Sequence, residues 1–317
     1  MFVRIVLISA AAALFGGCGQ PEEPARIGVL LWPPYELAYL AEAEDLLPDE
    51  RFRLIDYQTP AEVLRAYRNG LIDGFFLTTQ YAIGDHPDRP GTRIIHAINR
   101  SDGGDSLLAR EGIESLDELA GRSLALEAGP LGAYMLQRVF DHCQLERPDL
   151  DLHFIDTPGH VDAFAGGRVD AVITYEPFRS RVKAAGGHDL FTSADIPGEI
   201  VDVLYVSGHL IEERHADLVG FVRGLEQARQ LLEKQPESAL PVMAERHRLS
   251  TEEFARALQG VQLYDLEQNL ELLDGDPPLL AEMIARQTEV LRRTGMTVPE
   301  RPRYARPDAR IVIEAQP

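Results

Sequence analysis

Residues 52–78 read FRLIDYQTPAEVLRAYRNGLIDGFFLT, and residues 153–174 read HFIDTPGHVDAFAGGRVDAVIT. In each stretch an apolar strand ends in Ile-Asp, a Thr-Pro pair opens a short helix, and a Gly-x-(Ile/Val)-Asp turn leads into a second apolar strand. One strand, helix, strand unit is used twice. Thr59 and Thr157 are placed as N-caps, with Pro60 and Pro158 at the first helical position, where a missing N–H costs nothing. Gly70 and Gly167 fall just past the helix, where a left-handed residue is wanted. Two such units predict an α/β protein of two lobes, and clefts between lobes are where small ligands bind.

Working outward, the N-terminus carries Arg4, the apolar run IVLISAAAALF and then Gly16-Gly17-Cys18. These are the three zones of a secretory signal over residues 1–17, and the run is too short to span a bilayer. The small pair before Cys18 resembles a bacterial lipobox, which makes Cys18 the lipidation site and residues 18–25 a polar tether. The expected location is the periplasm or cell envelope, with the chain lipid-anchored to a membrane. The chain has only two cysteines, so a lipidated Cys18 leaves Cys143 without a disulfide partner. Cys143 follows the apolar helix pattern Leu131, Met135, Val139, Phe140 and reads as small packing. The formal charge of −20 is spread along the chain; it disfavours nucleic acid and anionic lipid as partners and gives solubility.

Arg26 to Leu31 reads as a strand, followed by the turn Trp32-Pro33-Pro34-Tyr35 and a helix of Leu37, Leu40, Ala41 and Leu46 spacing. After the first repeat copy, a loop GDHPDRPGT leads to a strand from Arg93 to Ile98 and the turn SDGGDS, where the first lobe hands over to the second. Ser115-Leu116-Asp117-Glu118 reads as a capping box opening a short helix. Ser123 to Glu127 is a strand, and the second copy runs to Thr174. IVDVLYVS from Ile200 carries the chain back. The expected division is 26–100 with 201–317 as one lobe and 101–200 as the other. Beyond residue 210 the spacing is helical: Ala216 to Leu232, Glu237 to Arg246, a capped start at Ser250 and Pro278 to Thr294. The proline-rich tail from Val298 reads as a strap or mobile end.

Four strings, AREGIESLDELAGRSLALEAGPLGAYML, DAFAGGRVDAVITYEPF, TSADIPGEIVDVLYVS and LSTEEFARALQGVQLYDLEQNLELL, resemble the extracytoplasmic substrate-binding proteins of nitrate, sulfonate and taurine ABC importers. That family also contains binders of thiamine-pyrimidine precursors. The resemblance runs in order from about residue 26 to 295. It implies a two-lobed type II periplasmic-binding-protein fold, capture of a small-molecule solute, and partners in an ABC permease and an ATPase encoded elsewhere. The chain itself has no GxxxxGK[ST] phosphate loop.

The ligand-facing loops of that family fall at Trp32 and Tyr35, at Thr78 and Thr79, at Ser101, Gly103 and Asp105, at Glu127 and Gly129, and at Thr174, Tyr175 and Glu176. Aromatics at such turns can stack on a flat solute, and glycines allow close backbone approach. Asp202, in the return strand, reads as a hinge residue. Asp105, Glu127 and Glu176 are acidic and few cations accompany them. Carboxylates favour amines or N–H-rich heterocycles, so a nitrogen-containing organic solute is expected ahead of nitrate or a sulfonate. Helix N-termini could still bind an anion.

No catalytic residue, cofactor or metal is expected, and the chain is expected to be a monomer. Fungal pyrimidine synthases of thiamine biosynthesis resemble the same family but need a cysteine-rich iron-binding stretch, which is absent from this sequence. The histidines lack ligand spacing, and no GxSxG elbow is present. A sensory or regulatory lipoprotein that binds solute without transport is the remaining alternative.

Overall fold

The computed structural model describes residues 23–48, 50–83, 89, 91–296 and 305–317. The signal segment, Cys18 and most of the tether lie outside the described residues, as do most of the GDHPDRPGT loop and 297–304 of the tail.

The chain forms two sheets. Their strands, in chain order, are β1 (Ala25–Val29), β2 (Phe52–Asp56), β3 (Gly74–Thr78), β4 (Arg93–Ser101), β5 (Asp105–Arg110), β6 (Ser123–Leu126), β7 (Asp151–Phe154), β8 (Ala171–Tyr175), β9 (Gly187–Thr192), β10 (Val201–Val206), β11 (Val261–Leu263) and β12 (Arg306–Pro307). The first sheet has the order β11-β4-β10-β3-β1-β2, with β12 also on β4; the second has β7-β6-β8-β5-β9. This is the expected two-lobed α/β architecture.

Each repeat copy builds the same corner. In the first sheet β2 and β3 flank β1, all parallel; in the second β7 and β8 flank β6, all parallel. A strand from elsewhere in the chain then pairs antiparallel with the second strand of each copy, β10 on β3 and β5 on β8. Strands β3 and β10 are buried along their whole length, as strands covered on both faces must be. Phe75 stacks on Tyr205, while Phe76 stacks on Phe221 and Tyr35. Truncating one such buried Phe costs about 3–5 kcal/mol.

The copies differ in their caps. Thr59 accepts from the Glu62 N–H and completes a capping box for the helix Pro60–Arg68. Thr157 does not cap: a 3₁₀ turn Thr157–Gly159 precedes the helix His160–Ala165, and its hydroxyl instead donates to Glu127 Oε2 at 3.3 Å. Gly70 and Gly167 take the expected left-handed conformation, with φ of 68° and 70°.

Ser115 makes no side-chain cap, and the segment after it is a single 3₁₀ turn, Leu116–Leu119; Glu118 accepts from the Glu114 N–H instead. The helices His215–Lys234, Pro236–Glu245, Thr251–Leu258 and Leu279–Arg293 follow the expected spacing. The described tail is packed in place, with Arg306–Pro307 on β4 and the helix Arg310–Ala315 capped by Arg223, which donates to the Glu314 and Ala315 carbonyls. Strands β9, of six residues, and β11, of three, are edge strands that the sequence reading missed. No described helix is long and apolar enough to cross a membrane.

Candidate functional site: a cavity between the sheets

Strand ends from both sheets converge on one cavity. Its walls are Leu30, Trp32, Tyr35, Pro60, Leu77, Thr78, Tyr81 and Asp202 from the side of the first sheet, and Asp105, Leu131 and Tyr175 from the side of the second. Its cavity volume in this arrangement is about 30 Å³, room for a water molecule or two, so an organic ligand would need the lobes to part.

Strand register explains which side chains meet. On the first sheet Asp202 lies opposite Thr78 on one side and Asn99 on the other. On the second, Asp105 lies opposite Tyr175. Asp202 is held by two donors, the Tyr35 hydroxyl at 2.5 Å and Asn99 Nδ2 at 2.9 Å. Asn99 also accepts from the Trp32 indole at 3.3 Å, so one buried amide fixes an aromatic wall and a carboxylate together. Burial pushes Asp202 up to about 6, against the pull of Tyr35 and Asn99. Burial pushes Asp105 further, up to about 8; the Ser101 hydroxyl opposes this, while the negative charges of Asp202, Glu127 and Glu176 add to it.

The aromatic walls meet across the cleft. Trp32 stands edge-on to Tyr175, ring centroids 5.9 Å apart. Gly104 makes room for it: a Cβ there would lie 2.7 Å from Trp32 Cη2 and 2.9 Å from the Gly260 carbonyl. Three buried hydroxyls in this region, Thr78, Thr79 and Thr174, have no protein partner. An unsatisfied buried polar group costs about 1–3 kcal/mol, so such hydroxyls are suited to a ligand or water.

Of the residues singled out from the sequence, Trp32, Tyr35, Thr78, Asp105 and Tyr175 line the cavity. Thr79 and Thr174 are buried but do not line it. Ser101 and Gly103 sit instead at the crossover between the sheets, where Ser193 Oγ lies 2.8 Å from Ser101 Oγ and accepts from the Gly103 N–H at 2.7 Å. Glu127 and Gly129 line a neighbouring outer crevice. Glu176 is turned away: its carboxylate accepts from Arg179, the Ser180 N–H and the Ser180 hydroxyl. Asp202, expected as a hinge, lines the cavity. Tyr81, Leu131 and Asn99 were missed, because no local pattern marks them; the antiparallel pairing of β4 and β10 brings Asn99 to Asp202.

The second crossing is tied separately. The Glu199 carbonyl accepts from Gln80 and Gln287, and its carboxylate accepts from Tyr134 and Arg138. Cys143 lies in a different crevice, partly buried against the core.

Comparison with known proteins agrees with this architecture. The NMT1-like family matches residues 125–246, and no curated protein matches the chain. Among solved structures, the ligand-binding component of an ABC-type import system from Staphylococcus aureus, with zinc bound, aligns over 93% of this chain and 99% of its own, at 14% identity and a TM-score of 0.73. The alkanesulfonate-binding protein SsuA from Xanthomonas axonopodis pv. citri, bound to MOPS, aligns over 90% and 97%, at 17% identity and a TM-score of 0.72. The desulfurization enzyme DSZB aligns over 92% and 98%, at 16% identity and a TM-score of 0.66. The resemblance read from the sequence is therefore borne out: residues 125–246 match the NMT1-like family, and over 90–93% of its length the chain shares the fold of the solute-binding components of ABC-type importers.

Proposed function

We propose that this protein captures a small, flat, nitrogen-bearing organic solute outside the cytoplasm and delivers it to an ABC permease. The observation that carries the solute class is the cavity wall. Asp105 and Asp202 are buried among the rings of Trp32, Tyr35, Tyr81 and Tyr175, and among the described residues no Lys, Arg or His lines the cavity. At pH 7 Asp202 is largely ionised while Asp105, its pKa pushed to about 8, is largely protonated in the unliganded cavity, so a nitrate or sulfonate would enter a desolvated space holding a buried carboxylate and no counter-charge, which is strongly unfavourable. An amine or a ring bearing N–H groups reverses that balance: it favours the ionised form of Asp105, which then accepts its hydrogen bonds, and the aromatic faces attract its positive charge.

On this reading Trp32 and Tyr175 stack on the solute and Thr78 gives it a hydroxyl partner. Asp202, already doubly bonded, holds Tyr35 in place. Glu127, Gly129 and Glu176 leave the set of direct contacts, as do Ser101 and Gly103. We assign residues 26–100 and 201–317 to one lobe and 101–200 to the other, joined by two crossings, and Cys18 to a lipid anchor at the cell envelope. The protein acts as a monomer and performs no reaction.

The test is a thermal-shift screen of the chain from residue 19 at pH 7, with amines, aminopyrimidines, nucleobases, nitrate, taurine and alkanesulfonates. A ligand at about 100 times its Kd stabilises by about 2.7 kcal/mol. A shift with an amine or heterocycle that Asp105→Asn abolishes supports the reading. A shift with sulfonates that survives Asp105→Asn overturns the solute class.

A further inference from the structure

The cavity shares a wall with a second compartment. An outer crevice of about 710 Å³, its mouth included, is lined by Thr59, Arg68, Glu127, Gly129, Asp156 and Thr157, and Pro60 and Tyr81 line both spaces. The Tyr81 hydroxyl donates to Glu127 Oε1 at 2.5 Å, from the turn Thr79–Ala82 after β3 to the residue after β6. This hydrogen bond therefore runs from one sheet's side of the cleft to the other's. Glu127 is braced from behind by Thr157, and both members are buried, Tyr81 2% and Glu127 8% exposed. The backbone closes in as well, since a Cβ on Gly129 would lie 3.0 Å from the Tyr81 hydroxyl and 3.4 Å from Glu127 Oε1.

We propose that the Tyr81–Glu127 pair is a door between the two compartments: solute passes through the outer crevice, and the inner cavity is sealed when the phenol meets the carboxylate. The door sets a size limit. A solute that reaches past the Tyr81 ring keeps the phenol from Glu127 and holds the lobes apart, so Tyr81 selects for molecules that fit the inner cavity alone. The departure of Thr157 from the capping role of Thr59 follows from this, because its hydroxyl is used to hold the fixed half of the door. The inference needs the two compartments and does not depend on which solute is carried.

Trp32 is the only tryptophan of the chain, is 5% exposed and lines the inner cavity, so its emission reads the door directly. The experiment is collisional quenching of Trp32 by acrylamide, a small neutral molecule, in the unliganded protein. Tyr81→Phe, which removes only the hydrogen bond, raises the quenching constant severalfold. Tyr81→Ala, which also merges the compartments, raises it further. Glu127→Gln keeps an acceptor oxygen and falls between the parent and Tyr81→Phe. Tyr39→Phe removes a phenol–carboxylate pair within one lobe, Tyr39 to Asp56, and leaves quenching at the parent value. Parent-like quenching in both Tyr81 variants overturns the proposal, and so does an equal rise in Tyr39→Phe and Tyr81→Phe. If circular dichroism finds Tyr81→Ala unfolded, the Tyr81→Phe result decides alone.

Discussion

The corner of the cavity built by the first repeat copy and the corner built by the second are made alike and finished differently. Each copy ends in a buried strand, and each of these strands pairs antiparallel with a strand that contributes an aspartate. Asp202 stands opposite Thr78, and Asp105 opposite Tyr175, one residue beyond Thr174. At the first corner Tyr35 and Asn99 bond the carboxylate. At the second, Ser101 is the hydroxyl that relieves it, and its pKa is pushed to about 8 where that of Asp202 reaches about 6. A repeated backbone unit can thus supply two similar positions while the surrounding side chains give them separate work, one holding the wall and one, on the proposed reading, meeting the solute.

The comparison can be broken most directly by pH. For both aspartates the folded-state pKa lies above the unfolded value of 3.8. Between those values the folded state binds more protons than the unfolded one, so stability falls as pH rises. The contribution is fully present below pH 3.8, is lost for Asp202 by about pH 6, and is lost for Asp105 by about pH 8. Each unit of pH in these windows costs up to about 1.4 kcal/mol per group. Melting of the unliganded protein followed against pH should show Asp105→Asn flattening the slope between 6 and 8 and Asp202→Asn only the slope below 6. Identical effects of the two variants would mean that the corners are equivalent.

Binding gives the next largest contrast. Truncating one partner of a buried charge-assisted hydrogen bond costs about 2–5 kcal/mol, so Asp105→Asn should weaken an amine ligand by roughly 30-fold or more in titration calorimetry. Asp202→Asn, which keeps an oxygen for Tyr35, should weaken it by less. The caps sharpen the comparison further. Thr59→Ala should lose about 1 kcal/mol of stability in denaturant unfolding and leave Trp32 quenching unchanged. Thr157→Ala should lose no more than that but raise the quenching, because its hydroxyl supports Glu127 and caps no helix. The last pair should give equal effects at the two corners. Gly70→Ala and Gly167→Ala each place a Cβ in open space at positive φ, and each should cost about 1–2 kcal/mol.

Much of the cavity's lining was open to reading wherever a strand end announced itself. Trp32, Tyr35, Thr78 and Tyr175 follow apolar runs, and Asp105 follows a glycine turn. Glu176 is engaged for a local reason: Arg179 and Ser180 lie three and four residues on, within reach of its carboxylate. The sequence points to Gly103, whereas Gly104 is the glycine that Trp32 needs. That distinction depends on an indole 72 residues away in the chain. Ser101 was read as a contact, yet the return crossing brings Ser193 onto it.

By itself the sequence determined the repeated unit, its paired left-handed glycines, the helical second half and the α/β class, because periodicity and turn chemistry act over a few residues. Only the tertiary structure decided which aspartate is satisfied, which threonine caps and which glutamate turns away. Those outcomes depend on hydrogen-bond partners far apart in the chain, Asn99 brought to Asp202 by strand pairing within the first sheet and Tyr81 brought to Glu127 by contact between the sides of the two sheets.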